Sequence, residues 1–137
     1  MNTSLLSPYL NFSGNCQQAM EFYQSVLGGE LEINRFGDYA SPEMPVSDAQ
    51  TDKVMHATLS SDDLTFMASD GQEGRTVVFG DSVSLSISGT NEEKLTAFFN
   101  GLSADGIVTM PLMQVPWGAH FGMFTDKFGI NWMINIG

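Results

Sequence analysis

The chain has 137 residues, 42% apolar and 15% charged, which is enough for one globular domain with a sizeable core and no disulfide staples. Sixteen acidic against five basic side chains give a formal charge of −11, which repels phosphate backbones and anionic bilayers and so excludes nucleic acid and membrane surfaces as partners. The lone Cys16 cannot close an internal disulfide, the first residues show no secretory pattern and no apolar run reaches membrane-spanning length, so a soluble cytoplasmic protein is expected.

Leu5 to Phe12 is short and rich in apolar and aromatic residues, as a strand requires. Ser13-Gly14-Asn15 interrupts it, with Asn15 as the expected cap of a helix. Cys16, Ala19, Met20, Tyr23, Val26 and Leu27 fall at three- and four-residue spacings and form one apolar stripe, which Gly28-Gly29 ends. Glu30 to Phe36 predicts a second strand with Leu31 and Ile33 on one face. Gly37 to Lys53, with Pro42 and Pro45, has no periodicity and is expected to be a loop, either a lid over a site or simply mobile. Val54 to Ser60 and Leu64 to Ser69 predict two more strands, joined by Ser61-Asp62-Asp63. Asp70 to Asp81, with three glycines, is the expected linker.

The pattern then repeats. Ser82 to Ser88 alternates strictly, so Val83, Leu85 and Ile87 are expected inward and the serines outward. Thr90 and Glu93 fit a capping box, and Leu95, Phe98, Phe99 and Leu102 make the apolar face of a second helix ending before Gly106. Ile107 to Leu112, Trp117 to Thr125 and Ile130 to Ile136 are the remaining strands. Asp126-Lys127-Phe128-Gly129 forms the last turn, where Gly129 supplies a positive φ. Ser13-Gly14 lies over Ser88-Gly89 and Phe22-Tyr23 over Phe98-Phe99 once the strand-to-helix turn slips by one residue. Strand, turn, cap, helix and three strands thus occur twice in order, as a duplicated βαβββ module. The expected class is α+β in a single domain: module one over about 4–70, a linker over about 71–81 and module two over about 82–137.

Two βαβββ modules resemble the vicinal oxygen chelate superfamily of glyoxalase I, extradiol dioxygenases and bleomycin-resistance proteins. "PYLNFSGNCQQAMEFY" (Pro8 to Tyr23), "MHATL" (Met55 to Leu59) and "WGAHFGMFTDKFGINWMIN" (Trp117 to Asn135) are similar to its PhnB-like branch. The likeness covers nearly the whole chain apart from 37–53. It implies curved, mainly antiparallel sheets around a cleft, and a homodimer that in some relatives exchanges modules. Superfamily enzymes hold a divalent metal there through His, Gln or Glu on the first and last strands of each module, and the ion acts as a Lewis acid on substrate oxygens. Carried over singly, those positions fall on Pro8, on Met67 or a neighbour, on Ser82 or Val83, and on Met133. Proline and methionine offer no donor for such a cation, and Tyr9, Trp132 and Ile134 beside them are no better. No metal or other cofactor is therefore expected.

His56 and His120 are the only imidazoles and stand in different modules. Each reads first as a packed or interface histidine, and second as a base or ligand of a displaced metal site in a lyase or dioxygenase relative. His120 shares its predicted face with Gly118, Gly122 and Phe124. Cys16, on the helix stripe, reads as a small buried hydrophobe. No catalytic Ser-His-Asp set, phosphate loop or zinc-type cysteine spacing is present, and no Gly-x-Gly-x-x-Gly follows a strand. The ubiquinone-methyltransferase label borne by some relatives thus has no support in the residues. Nine methionines and ten phenylalanines are mostly core, but cleft-facing members such as Met67 and Met133, with Trp117 and Asn131, fit an adaptable apolar cavity with polar anchors. Arg35 is a candidate for an anionic group on the ligand and otherwise a solvated arginine. The expected function is uptake of a small, partly apolar molecule without metal. The alternatives are the metal-dependent enzyme on His56 or His120, and a dimeric accessory factor whose cleft is filled by its own side chains.

Overall fold

The computed structural model describes residues 6–62 and 64–137, and forms two compact units, one running to Val77 and the other Val78–Gly137. The boundary falls inside the expected linker. In the first unit β1 (Tyr9–Asn11), α1 (Cys16–Leu27), β2 (Glu30–Arg35), β3 (Val54–Ser60) and β4 (Thr65–Ser69) form a helix on a four-stranded sheet of order β1-β4-β3-β2. In the second, β5 (Leu85–Gly89), α2 (Glu92–Ser103), β6 (Ile107–Gln114), β7 (His120–Thr125) and β8 (Asn131–Ile136) repeat the arrangement as β5-β8-β7-β6. In each sheet the first and last strands pair parallel and all other neighbours antiparallel. Among the described residues no helix is long and apolar enough to cross a membrane.

Period-two strands present one face to the helix. Tyr23 of α1 meets Phe66 edge-on at 5.8 Å, and Leu10, Ala57, Leu59 and Ala68 are buried with them. Phe99 of α2 meets Phe124 edge-on at 5.1 Å above Trp132, Ile134 and Ile136. Burying one such large side chain contributes about 1.5–3 kcal/mol, so each cluster supplies several kcal/mol to its unit.

Several boundaries differ from the sequence expectation, each for a physical reason. The first strand is confined to Tyr9–Asn11, which run parallel to Met67–Ser69 of β4; Leu5 lies outside the described residues. Phe36–Tyr39 leaves the sheet as a 3₁₀ turn. Thr65, not Leu64, opens β4, and Asp63 of the expected connection lies outside the described residues. Val83 is 71% exposed rather than inward, since pairing with β8 starts only at Leu85. Trp117 to Ala119 belongs to the turn before β7, closed by Gly118 N–H donating to Val115 O at 2.9 Å. Val26 and Phe98 are half-buried at the rims of their helix stripes. Gly129 has φ 95°, as its turn requires.

Both caps differ as well. Asn91, not Thr90, caps α2: its Oδ1 accepts from Lys94 N–H at 3.0 Å. Asn15 precedes α1, but its side chain makes no capping bond. The buried Asp70 does that work from just after β4, its Oδ1 accepting from Gly14 N–H and Cys16 N–H at 2.9 Å each. Its Oδ2 accepts from Val54 N–H, also at 2.9 Å, so one carboxylate joins the helix start to β3. In the second unit the buried Asp126 accepts from Phe128 N–H, Ile130 N–H and Trp132 Nε1–H at 2.8, 3.1 and 2.8 Å.

Candidate functional site

With one face of each sheet under its helix, chemistry is left to the other face. On the first sheet the register sets Tyr9, Met67, Thr58 and Glu32 side by side, with His56 beside Asn34 in the next row. Tyr9 Oη lies 3.3 Å from His56 Nδ1, and Thr58 Oγ1 lies 3.2 Å from His56 Nε2. In the tautomer protonated at Nε2, the tyrosine donates to the ring and the ring donates to the threonine. Both imidazole nitrogens are thereby engaged, and the Tyr9 and His56 rings stand 5.8 Å apart. Tyr39 Oη donates to Asn34 Oδ1 at 3.3 Å at the border of this polar face.

The corresponding face of the second sheet is different in character. Met110, Met123, Met133 and Ser86 form one row across four strands. Met113, Phe121, Asn135 and Ser88 form the next. Every member is half-buried or exposed, so this face is thioether and aromatic toward β6 and polar toward β5.

The residues singled out from sequence are distributed as follows. His56 and Met67 come together on the first face, and Met133 lies on the second. Asn131 is a tether: its Oδ1 accepts from Thr125 Oγ1 at 2.8 Å, and its Nδ2 donates to Gly80 O and Val83 O at 2.7 and 3.2 Å. Arg35 is held by Gln17 Oε1 at 2.8 Å and by Asp52 O at 3.0 Å. Trp117 is 71% exposed on its turn. His120 pairs with Ile136 and lies on the strand side of Gly122, whose hydrogen atoms point at Phe99 of α2, so it is on the helix side rather than the open face. The sequence reading missed Tyr9 and Thr58 as neighbours of His56. Period two from His56 points to Thr58; Tyr9 arrives only through β1–β4–β3 pairing, which no local signal encodes.

The metal that the superfamily uses does not fit these positions. Pro8, Met67, Val83 and Met133 present a ring, two thioethers and an alkyl group, and Ser82, the alternative to Val83, offers a single neutral hydroxyl. Among the described residues no three His, Cys, Asp or Glu side chains gather so as to hold an ion. Cys16 is fully buried; burial, then the Asp70 charge, pushes its thiol up to about 12, so it remains protonated and inert.

Comparison with known proteins adds the lineage. A family model described as 3-demethylubiquinone-9 3-methyltransferase matches residues 4–135. Protein PA1353 from Pseudomonas aeruginosa is 39% identical, with a TM-score of 0.85 over 98% of each chain. Protein YjdN of Escherichia coli strain K12 is 33% identical over 140 residues, covering 96% of this chain and 94% of that one. A Bacillus cereus structure described as a putative 3-demethylubiquinone-9 3-methyltransferase, PhnB protein, is 28% identical with a TM-score of 0.78 over 98% of this chain and 100% of its own. Solved glyoxalase/bleomycin-resistance proteins at 16% and 14% identity, with TM-scores of 0.62 and 0.57, share the fold alone. The methyltransferase wording implies a nucleotide-like methyl donor, yet the strand-to-helix turns here, Ser13-Gly14-Asn15 and Thr90-Asn91, are no glycine-rich cradle. Asp70 accepts from Gly14 and Cys16 N–H at the start of α1, and Asn91 accepts from Lys94 N–H at the start of α2. By its sequence match the chain belongs to the family described as 3-demethylubiquinone-9 3-methyltransferase, in its PhnB-like branch, and it carries the glyoxalase/bleomycin-resistance fold.

Proposed function

We propose that this chain is a metal-independent binding protein that takes up a small, partly apolar molecule. The observation that carries the reading is the open face of the second sheet. Met110, Met123 and Met133 make a continuous thioether row, Phe121 lies beside it, and Asn135, Ser86 and Ser88 flank it on the β8 and β5 side. Flexible thioethers adapt to varied apolar shapes, while the amide and hydroxyls fix the orientation of a polar end. Tyr9, His56 and Thr58 give the first unit a polar face that can exchange hydrogen bonds with a ligand hydroxyl or carbonyl. A cytoplasmic homodimer is part of the same reading, by likeness to the family, and light scattering on the purified chain tests the dimer.

The test is native mass spectrometry of protein purified without an affinity tag, with metal analysis of the same sample. A retained organic molecule, lost in Met133→Glu with the melting temperature unchanged, supports the reading. Stoichiometric metal that disappears in His56→Ala or His120→Ala overturns it in favour of a metal-dependent lyase or dioxygenase relative. Ligands that prefer the native state raise its stability, so thermal shifts with Ni²⁺, Zn²⁺, Mn²⁺ and Fe²⁺ give a second readout.

A further inference from the structure

The segment 37–53, without periodicity in sequence, is fastened to the stretch that follows β4. Ser47 Oγ donates to Glu73 Oε1 at 2.7 Å, and Gln50 Nε2 donates to Gly71 O at 2.9 Å. Between these segments and the Ser13–Gly14 turn lie two adjoining cavities of about 250 and 300 Å³, which share Gly14, Lys53 and Asp70 on their walls. Neither cavity shares a residue with the open sheet faces.

Two of the chain's five basic side chains, Lys53 and Arg75, line the first cavity. Neither side chain has a hydrogen-bond or ion-pair partner among the described residues. With 16 carboxylates in the chain, an unpaired cation is unexpected, and two on one cavity more so. The carboxylates beside them are already engaged. Asp70 spends its oxygens on three backbone N–H groups, and Glu73 accepts from Ser47. Lys53 is held against the strand-to-helix turn: a Cβ on Gly14 would lie 3.2 Å from its Nζ.

We propose that this cavity binds a small anion, a carboxylate or a phosphate group, between Lys53 Nζ and the Arg75 guanidinium. A guanidinium meets such a group through two parallel donors and an ammonium adds a point charge, so the pair suits a planar or tetrahedral oxyanion. Ligand pockets commonly span about 300–1,000 Å³, so this cavity of about 250 Å³, just below that range, suits a short organic acid or inorganic phosphate. Arg35 bonds to Gln17 Oε1 and Asp52 O, both of residues that line the adjoining cavity rather than this one.

Amide NMR on the full chain tests this, with inorganic phosphate and acetate titrated separately and ionic strength held constant with chloride. Saturable shifts at Gly14, Gln50, Lys53, Gly71 and Arg75 are expected for at least one of the two, and which one responds names the source of the charge. Lys53→Gln and Arg75→Gln each weaken binding about tenfold, the size of one charge-assisted contact at an open site. The double variant abolishes it, while His56→Ala leaves it unchanged. Shifts that fail to saturate with either anion, or binding undiminished in a double variant that melts at the wild-type temperature, overturn the proposal.

Discussion

Replacing Asp70 with Asn exchanges one carboxylate oxygen for an NH₂ group at a position that is 7% exposed. The better amide orientation leaves its oxygen on Gly14 N–H and Cys16 N–H and turns its nitrogen toward Val54 N–H, 2.9 Å away. One charge-assisted bond is lost and a buried N–H is left facing another donor, which costs about 1.5–3 kcal/mol. The two remaining bonds weaken as the acceptor loses its charge. Against this, a neutral amide is cheaper to bury than a carboxylate, which returns part of the loss. The expected net is a destabilisation of about 2–3 kcal/mol, a large share of the roughly 5–15 kcal/mol that holds a domain together. For a chain of this size it corresponds to a melting temperature lower by about 10 °C. Urea denaturation should show a lower midpoint at unchanged slope. Hydrogen exchange should speed up first at Gly14, Cys16 and Val54. A variant within about 0.5 kcal/mol of wild type would refute the assignment of Asp70 as the clasp of helix and sheet, since surface changes alone produce that much.

Other outcomes follow from single contacts. Asn91→Ala should cost about 1 kcal/mol by removing the α2 cap, whereas Asn15→Ala should cost well under half of that, because its side chain caps nothing; paired urea curves decide. Gly122→Ala should destabilise by about 2 kcal/mol or more, since the new Cβ would meet Phe99 Cε2 at 2.6 Å and the backbone of Leu112 at 2.9 Å, and calorimetry measures it. The Cys16 thiol has a folded pKa raised from 9.0 to about 12, so its share of stability is intact below about pH 9 and falls as pH rises toward the folded value. Wild type should therefore lose stability between about pH 9 and about pH 12 relative to Cys16→Ala, read as the difference of urea midpoints. The native thiol should resist thiol reagents at neutral pH until the chain unfolds.

Much of this protein was legible in the order of its residues. Short strand-like runs such as Val54 to Ser60, helix spacing from Cys16 to Leu27 and its recurrence around Leu95, Phe99 and Leu102 are local signals, and they sufficed for two βαβββ units. The glycines at 28–29 and 129 acted where a positive φ was needed, as chain geometry dictates without reference to distant residues. What escaped was whatever depends on contacts between remote segments. Asp70 lies 54 residues from the Cys16 amide it caps, and the helix start showed only a plausible Asn15 beside it. Val83 alternated correctly and still points outward, since a strand exists only where a partner meets it. Tyr9 reaches His56 across β4, and Lys53 shares a cavity with Arg75 because Ser47 and Gln50 reach across to Glu73 and Gly71. Periodicity reports which side of an element is apolar; pairing register and loop closure decide which polar groups meet, and only the folded chain contains that information.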